Sequence, residues 1–220
     1  MGAYPIGEFV LPLFPLPNLV FFPGTRLPLH VFEPRYRQMV ADALESDKRF
    51  GIVLLRPGWE SDYFGAPAIY ECGTVGTIEQ AVPLDDGRFN ILVHGDVRFR
   101  LVDEVGTVPY RTARVIASPE LQRESDSAYA QREWLADLAR QYIQYLPDQS
   151  AVPEIEMVGL DALTNALIMS LNLDVEEKQK LLEMNDLIAR AETIGTELQN
   201  RIETLRFLAP YRQETDPSRN

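Results

Sequence analysis

Residues Phe9–Val40 read FVLPLFPLPNLVFFPGTRLPLHVFEPRYRQMV, with Pro12, Pro15, Pro17, Pro23, Pro28 and Pro34 set among large apolar side chains. Proline fixes φ and lacks a backbone N–H, so this stretch can be neither one helix nor one central strand. It predicts short extended pieces joined by bends. Leu11, Leu13 and Phe14 make the first, closed by Pro15 and Pro17; Leu19 to Phe22 make the second, and Pro23-Gly24 marks a turn. In the third, Leu27, Leu29 and Val31 alternate with Pro28, His30 and Phe32, the period of a strand with two different faces. Glu33 and Pro34 then open a helix: proline suits the first helical position, and an acid beside it favours the positive end of the dipole. Tyr36, Met39, Val40 and Ala43 supply its apolar stripe.

The 220 residues suffice for a sizeable core, and 45% hydrophobic with 25% charged residues is the composition of an ordinary soluble globular protein. A single cysteine, Cys72, allows no intrachain disulfide and no cysteine-rich zinc site, which fits the cytoplasm. No run approaches the roughly 20 apolar residues that span a bilayer. The apolar start has no basic n-region, and Ile6 stands where a myristoylation pattern wants Ser or Thr, so neither export nor a membrane anchor is expected.

Composition shifts near Pro119. Eleven of the 13 glycines lie at or before Gly106, and the two halves carry unequal charge. Residues 1–118 hold 11 Lys/Arg against 14 Asp/Glu, a net of −3; residues 119–220 hold 10 against 19, a net of −9. A β-rich half of residues 1–118 followed by a helical half of 119–212 and a frayed tail of 213–220 is the expected organisation.

In the first half, Phe50 to Leu55 reads as a buried strand before Arg56-Pro57-Gly58, and Ile69 to Val82 as a bent strand with a bulge. Asp85-Asp86-Gly87 is a hairpin signal ahead of Phe89 to Val93. Val97 to Val102 and Tyr110 to Ile116 alternate in the same manner. Together these strands suffice to close a small barrel.

The second half reads as helices. Asp126 or Ser127 can cap one carrying Trp134, Leu135, Leu138, Tyr142 and Leu146, which Pro147 ends before a loop to Pro153. Leu160, Leu163, Leu167, Ile168 and Leu171 mark the next, and Asp174 with Glu177 has capping-box spacing. Leu187, Ala191, Ile194, Leu198, Ile202 and Leu205 form a long seam suited to bundle packing, with dimerisation as the alternative.

The strings LPLFPLPNLVFFPG and LPLHVFEPRYRQM resemble the opening of the substrate-binding, N-terminal domain of Lon proteases, in the version found in small stand-alone proteins. GIVLLRPG, DDGRFNILVHGDVRFRL and KQKLLEMNDLIARAETI extend the resemblance over nearly the whole chain. It implies an α+β fold: a PUA-like β pseudo-barrel followed by a C-terminal α-helical bundle with a long last helix. It also implies a non-catalytic domain that binds unfolded polypeptide or a protein partner, without cofactor or metal. No G-x-x-x-x-G-K-[ST] phosphate loop occurs in the 220 residues, so neither an ATPase nor the protease module that accompanies it is expected.

Candidate chemistry is sparse. His30, His94 and Cys72 match no local catalytic signature and fall short of the four ligands that zinc prefers. Glu33 with Asp96, or Asp85 with Asp86, could do acid–base work only if buried together; a helix start and a turn are the plainer readings. Trp59, Tyr63 and Phe64 crowd one polar loop, either covering the barrel or offering an apolar contact surface. They form the candidate peptide site. The alternative is an RNA-binding PUA-like module using Arg98, Arg100, Arg111 and Arg114 as an outward-facing stripe, a reading that the net charge of −12 opposes.

Overall fold

The structure is a computed structural model describing residues 7–63, 65–107, 109–120, 125–146, 155 and 158–212, with the backbone alone for 209–212. Phe64, the loop expected over 147–153 and the tail 213–220 lie outside the described residues. Contacts divide the chain into two compact units: Met1–Leu121 with Asn172–Asn185, and Gln122–Leu171 with Asp186–Asn220.

Among its described residues the first unit has six strands: β1 (Glu8–Leu16), β2 (Arg26–Val31), β3 (Arg49–Leu55), β4 (Ile69–Pro83), β5 (Phe89–Gly106) and β6 (Thr112–Ser118). Their order is β2-β5-β4-β3-β1-β6, and β5 also pairs with β6, so five strands close on themselves and β2 is appended to the first part of β5. This is the α+β, PUA-like pseudo-barrel that the family resemblance implied. Its interior is filled by Leu11, Leu13, Val53, Val75, Val97, Phe99 and Val115. The Phe99 ring takes the centre because Gly73 has no side chain: a Cβ there would stand 2.6 Å from the ring and 2.5 Å from the carbonyl oxygen of Ile52.

The opening stretch is, as expected, neither one helix nor one strand, but its first piece runs through Pro15 instead of closing there. β1 carries Pro12 and Pro15 yet is an interior strand, between β3 and β6. It achieves this by changing partners: Glu8–Pro12 pair antiparallel with β6, whereas Leu13–Leu16 pair in parallel with β3. Each half serves chiefly one neighbour, so a proline costs no ladder bond where its nitrogen faces the other side. Leu19–Phe22 is not a strand. Val20, Phe21 and Phe22 are buried as an irregular plug, in which Phe21 O accepts a 2.5 Å bond from Thr74 Oγ1.

The helix predicted after Glu33 is α1 (Pro34–Leu44), and Tyr36, Met39, Val40 and Ala43 are its buried residues. β4 is irregular as expected, with register shifts against β5 at Val75/Gly76 and Ile78/Gln80. The two strands expected over 89–102 are one continuous 18-residue strand.

Among the described residues four helices follow: α2 (Asp126–Ile143), α3 (Leu160–Ser170), α4 (Val175–Glu183) and α5 (Leu187–Arg212). α2 is capped by Ser125, whose Oγ accepts from Ala128 N, rather than by Asp126 or Ser127. Asp174 precedes α4 without a side-chain capping bond. α2, α3 and α5 pack on one another within the second unit. Leu187, Ala191, Ile194, Leu198 and Ile202, all predicted in the seam, are buried there. Gly195 lets the Trp134 indole lie directly on α5, since a Cβ would sit within 2 Å of that ring.

Helix α4 belongs to the first unit, not to the bundle. Arg98 Nη1 donates to Leu182 O and Met184 O, both at 2.9 Å, meeting carbonyls that a helix end leaves without intrahelical partners. Gln179 Nε2 donates to Cys72 O at 3.0 Å. No described helix is long and apolar enough to cross a membrane.

Candidate functional site

The aromatic loop follows β3 directly, beginning as a short 3₁₀ turn over Trp59–Asp62. The Trp59 side chain is half-buried against the rim of the barrel core, so it covers apolar surface while keeping an exposed edge. Tyr63 stands edge-on to it with ring centroids 5.5 Å apart. The sequence thus brought these two together; Phe64 is outside the described residues.

What holds the loop is the start of α1. Tyr63 Oη donates to Glu33 Oε1 at 2.5 Å, Arg35 Nε donates to Glu33 Oε2 at 3.1 Å, and Arg35 Nη2 donates to Tyr63 O at 3.2 Å. The Arg35 guanidinium lies 4.7 Å from the Tyr36 ring centre and 5.4 Å from that of Tyr63. Glu33 and Arg35 pair with each other at the strand–helix junction and also tether a loop some 30 residues away. Nothing local in the sequence carries that long-range tie.

Electrostatics follow burial. The Tyr36 phenol, packed with its ring centroid 4.3 Å from that of Phe14, is pushed up to about 12, chiefly by burial. Tyr63 is raised by burial and then by its bond to Glu33. Both stay neutral at physiological pH, so neither is a ready base. The cavity beneath the loop, lined by Pro15, Arg35, Tyr36, Leu55, Tyr63 and Arg111, holds about 10 Å³. That is scarcely room for one water.

The four arginines do not form one stripe. Arg98 and Arg111 are 3% and 6% exposed, not outward-facing. Arg98 serves α4 and pairs with Glu120; Arg111 pairs with Glu104 and donates to Pro67 O. Strand alternation alone cannot show that a helix covers one side chain and a loop another. Arg114 is outside and paired with Asp103 and Glu8, while Arg100 is exposed.

The remaining candidates are dispersed. His30 Nδ1 lies 2.7 Å from Asn90 Oδ1; His94 is registered against Arg26 and Thr77, and Cys72 against Arg100. No two of the three are cross-strand neighbours. Among the described residues no group of three His, Cys, Asp or Glu side chains is placed to hold a metal. Asp86 organises the hairpin by accepting from Arg88, which lowers its pKa, and Asp96 accepts from Thr77 Oγ1 at 2.5 Å. The turn reading of the acidic pair therefore holds.

Residues 10–200 match the family model described as the substrate-binding domain of ATP-dependent protease La (Lon). Lon protease 2 of Myxococcus xanthus is 35% identical over 196 residues, covering 87% of this chain and 24% of that protein. Lon protease of Anaeromyxobacter dehalogenans is 32% identical over 196 residues, covering 87% and 23%. The chain thus spans about a quarter of the length of these curated relatives. A Lon N-terminal domain protein from Xanthomonas campestris superposes with a TM-score of 0.63 at 24% identity, over 84% of this chain and 96% of that one. The N-terminal domain of Mycobacterium avium complex Lon protease gives 0.66 at 16% identity, over 87% and 98%. At those identities the structures speak for the fold.

Proposed function

Because the chain belongs to the family of Lon protease substrate-binding domains, we propose that it binds polypeptides, in unfolded or apolar-rich form, or a protein that handles them. Binding would rest on apolar contact and on backbone hydrogen bonding at a strand edge, a mode that tolerates many sequences. The observation that carries this reading is the extent of the family match, residues 10–200, which runs through both compact units.

Geometry supports a surface for the purpose. Trp59 and Tyr63 are half-exposed aromatics held on the barrel rim, and rigid aromatic edges give contact area at small entropic cost. Among the described residues β2 has a single sheet neighbour, β5. These residues act by binding, with no step of chemistry assigned to them. The lone cysteine is in keeping with action in the cytoplasm.

The test is fluorescence anisotropy of a labelled, permanently unfolded polypeptide, with its folded counterpart as control. Saturable binding to the unfolded form alone is expected, weakened at least about tenfold by Trp59→Ala with Tyr63→Ala, as for aromatic hot spots. Unchanged affinity in a folded double variant would remove these residues from the surface. Absence of binding in the unaltered protein would overturn the reading itself.

A further inference from the structure

A cleft of about 300 Å³ is lined by residues of the strand unit, with neither Trp59 nor Tyr63 among them. Arg56, Tyr70, Cys72, Arg100 and Ser118 line it from the strand side, and Glu183 and Asn185 from the end of α4. Register explains the grouping: Arg100 on β5 is paired with Cys72 on β4 and with Ile116 on β6. Arg56 leaves β3 and turns back, its Nε donating to Ile69 O at 2.9 Å and its guanidinium standing 4.8 Å over the Tyr70 ring.

These two arginines differ from the others in residues 1–118. Seven of those lie within 4 Å of a carboxylate, and Arg37 donates to the Gly87 carbonyl. Among the described residues Arg56 and Arg100 have no such ion pair, in a chain whose acids outnumber its bases by 12. Glu71 and Glu183 line the same cleft, yet neither closes on them; Glu183 Oε1 accepts instead from Gln179 Nε2 at 2.8 Å. Arg98, deeper in the wall, is neutralised by Glu120. Beside Arg100, Val102 and Ile116 are 44% and 41% exposed. Among the described residues the cleft therefore presents two guanidinium groups without a carboxylate partner next to exposed aliphatic surface.

We propose that this cleft takes the Asp and Glu side chains of an acidic polypeptide segment that also carries aliphatic residues, the carboxylates on Arg56 and Arg100 and the aliphatic groups on Val102 and Ile116. Guanidinium groups match carboxylates in planar, two-point geometry, and Arg56 is held in place by the Tyr70 ring. The inference rests on the polypeptide-binding reading and adds a preference to it. Because the protein's overall charge repels acids, a preference for them would report the cleft and not a general field.

The experiment titrates the whole chain against a short labelled, amidated peptide alternating Glu with Leu and Ser, and against its Gln counterpart. A further arm uses the Gln peptide with a free C-terminal carboxylate. The Glu peptide is expected to bind about tenfold more tightly than the Gln peptide, the advantage shrinking with added salt. Arg56→Gln with Arg100→Gln should abolish the advantage, and Arg114→Gln on the same barrel should leave it. Equal binding of the two peptides, or an advantage that survives in the double variant, overturns the proposal. Equal gain from the free C-terminus overturns its assignment to side chains. If the unfolded polypeptide binds and neither peptide does, the proposal falls while the polypeptide-binding reading stands; if nothing binds, both fall. Circular dichroism and thermal melts of each variant confirm that the fold is retained.

Discussion

At the scale of single residues, burial decides which side chains carry chemistry and which carry structure. Tyr36 was legible as part of the α1 stripe, and its buried ring has a consequence at high pH. Its folded-state pKa of about 12 lies above the ordinary value of 10, so the stabilisation is fully present below pH 10 and is lost as pH rises toward 12. Complete loss is worth on the order of 2–3 kcal/mol. Tyr110, also raised to about 12 by burial and by its bond to Asp42, adds to the decline over the same window. Urea midpoints at pH 8 and pH 11 should therefore differ, and Tyr36→Phe should narrow the gap while changing the pH 8 midpoint little. A variant that keeps the full alkaline loss would show that Tyr36 is not its source. Arg98 and Arg111 teach the opposite lesson about reading residues: their alternation along strands was visible, but what covers them comes from residues distant in sequence.

Among the elements, those whose pattern is local were read correctly and those that depend on neighbours were not. α1, β3 and the seam of α5 announced themselves through apolar period and punctuation. β1 was visible as an extended piece but not as an interior strand, because its tolerance for Pro12 and Pro15 comes from a change of partner midway along the strand. α4 was likewise visible as a helix after Asp174, but its attachment to the strand unit, through Arg98 on β5 and through its own Gln179, was not. The Arg98 and Glu120 side chains are 4% and 5% exposed, and Arg98 also satisfies the carbonyls at the end of α4. Arg98→Met should cost about 3–5 kcal/mol, because it leaves the Glu120 charge buried without compensation. Adding Glu120→Met should recover part of that loss. Denaturant unfolding measures both, and hydrogen exchange of Val175–Glu183 amides should rise in the single variant. A loss below about 1 kcal/mol would mean that apolar packing alone holds the helix.

For the whole molecule, the sequence located a change of character near Pro119 but did not reveal that the chain returns to the strand unit. Residues 172–185 rejoin it after α2 and α3, then α5 goes back to the bundle. Composition could not show this, since α4 has the same helical signature as its neighbours; the acceptors it offers to Arg98, the Gln179 bond to Cys72 O and the buried Leu181 and Leu182 set it apart. The strand unit accordingly should not be stable as residues 1–121. Without α4 it forgoes the burial of two leucines, each worth about 1.5–3 kcal/mol, and leaves the Arg98–Glu120 pair open to water. Against a typical domain stability of about 5–15 kcal/mol, that deficit is large enough to unfold much of the population. A fragment in which a flexible linker joins residues 1–121 to 172–185 should instead melt cooperatively. Thermal denaturation followed by circular dichroism compares the two directly. Equal melting temperatures would mean that α4 is a passenger on the barrel; a gap of ten degrees or so, the order that ~2 kcal/mol gives in a domain of this size, would make it a structural member of the unit that carries both proposed binding surfaces.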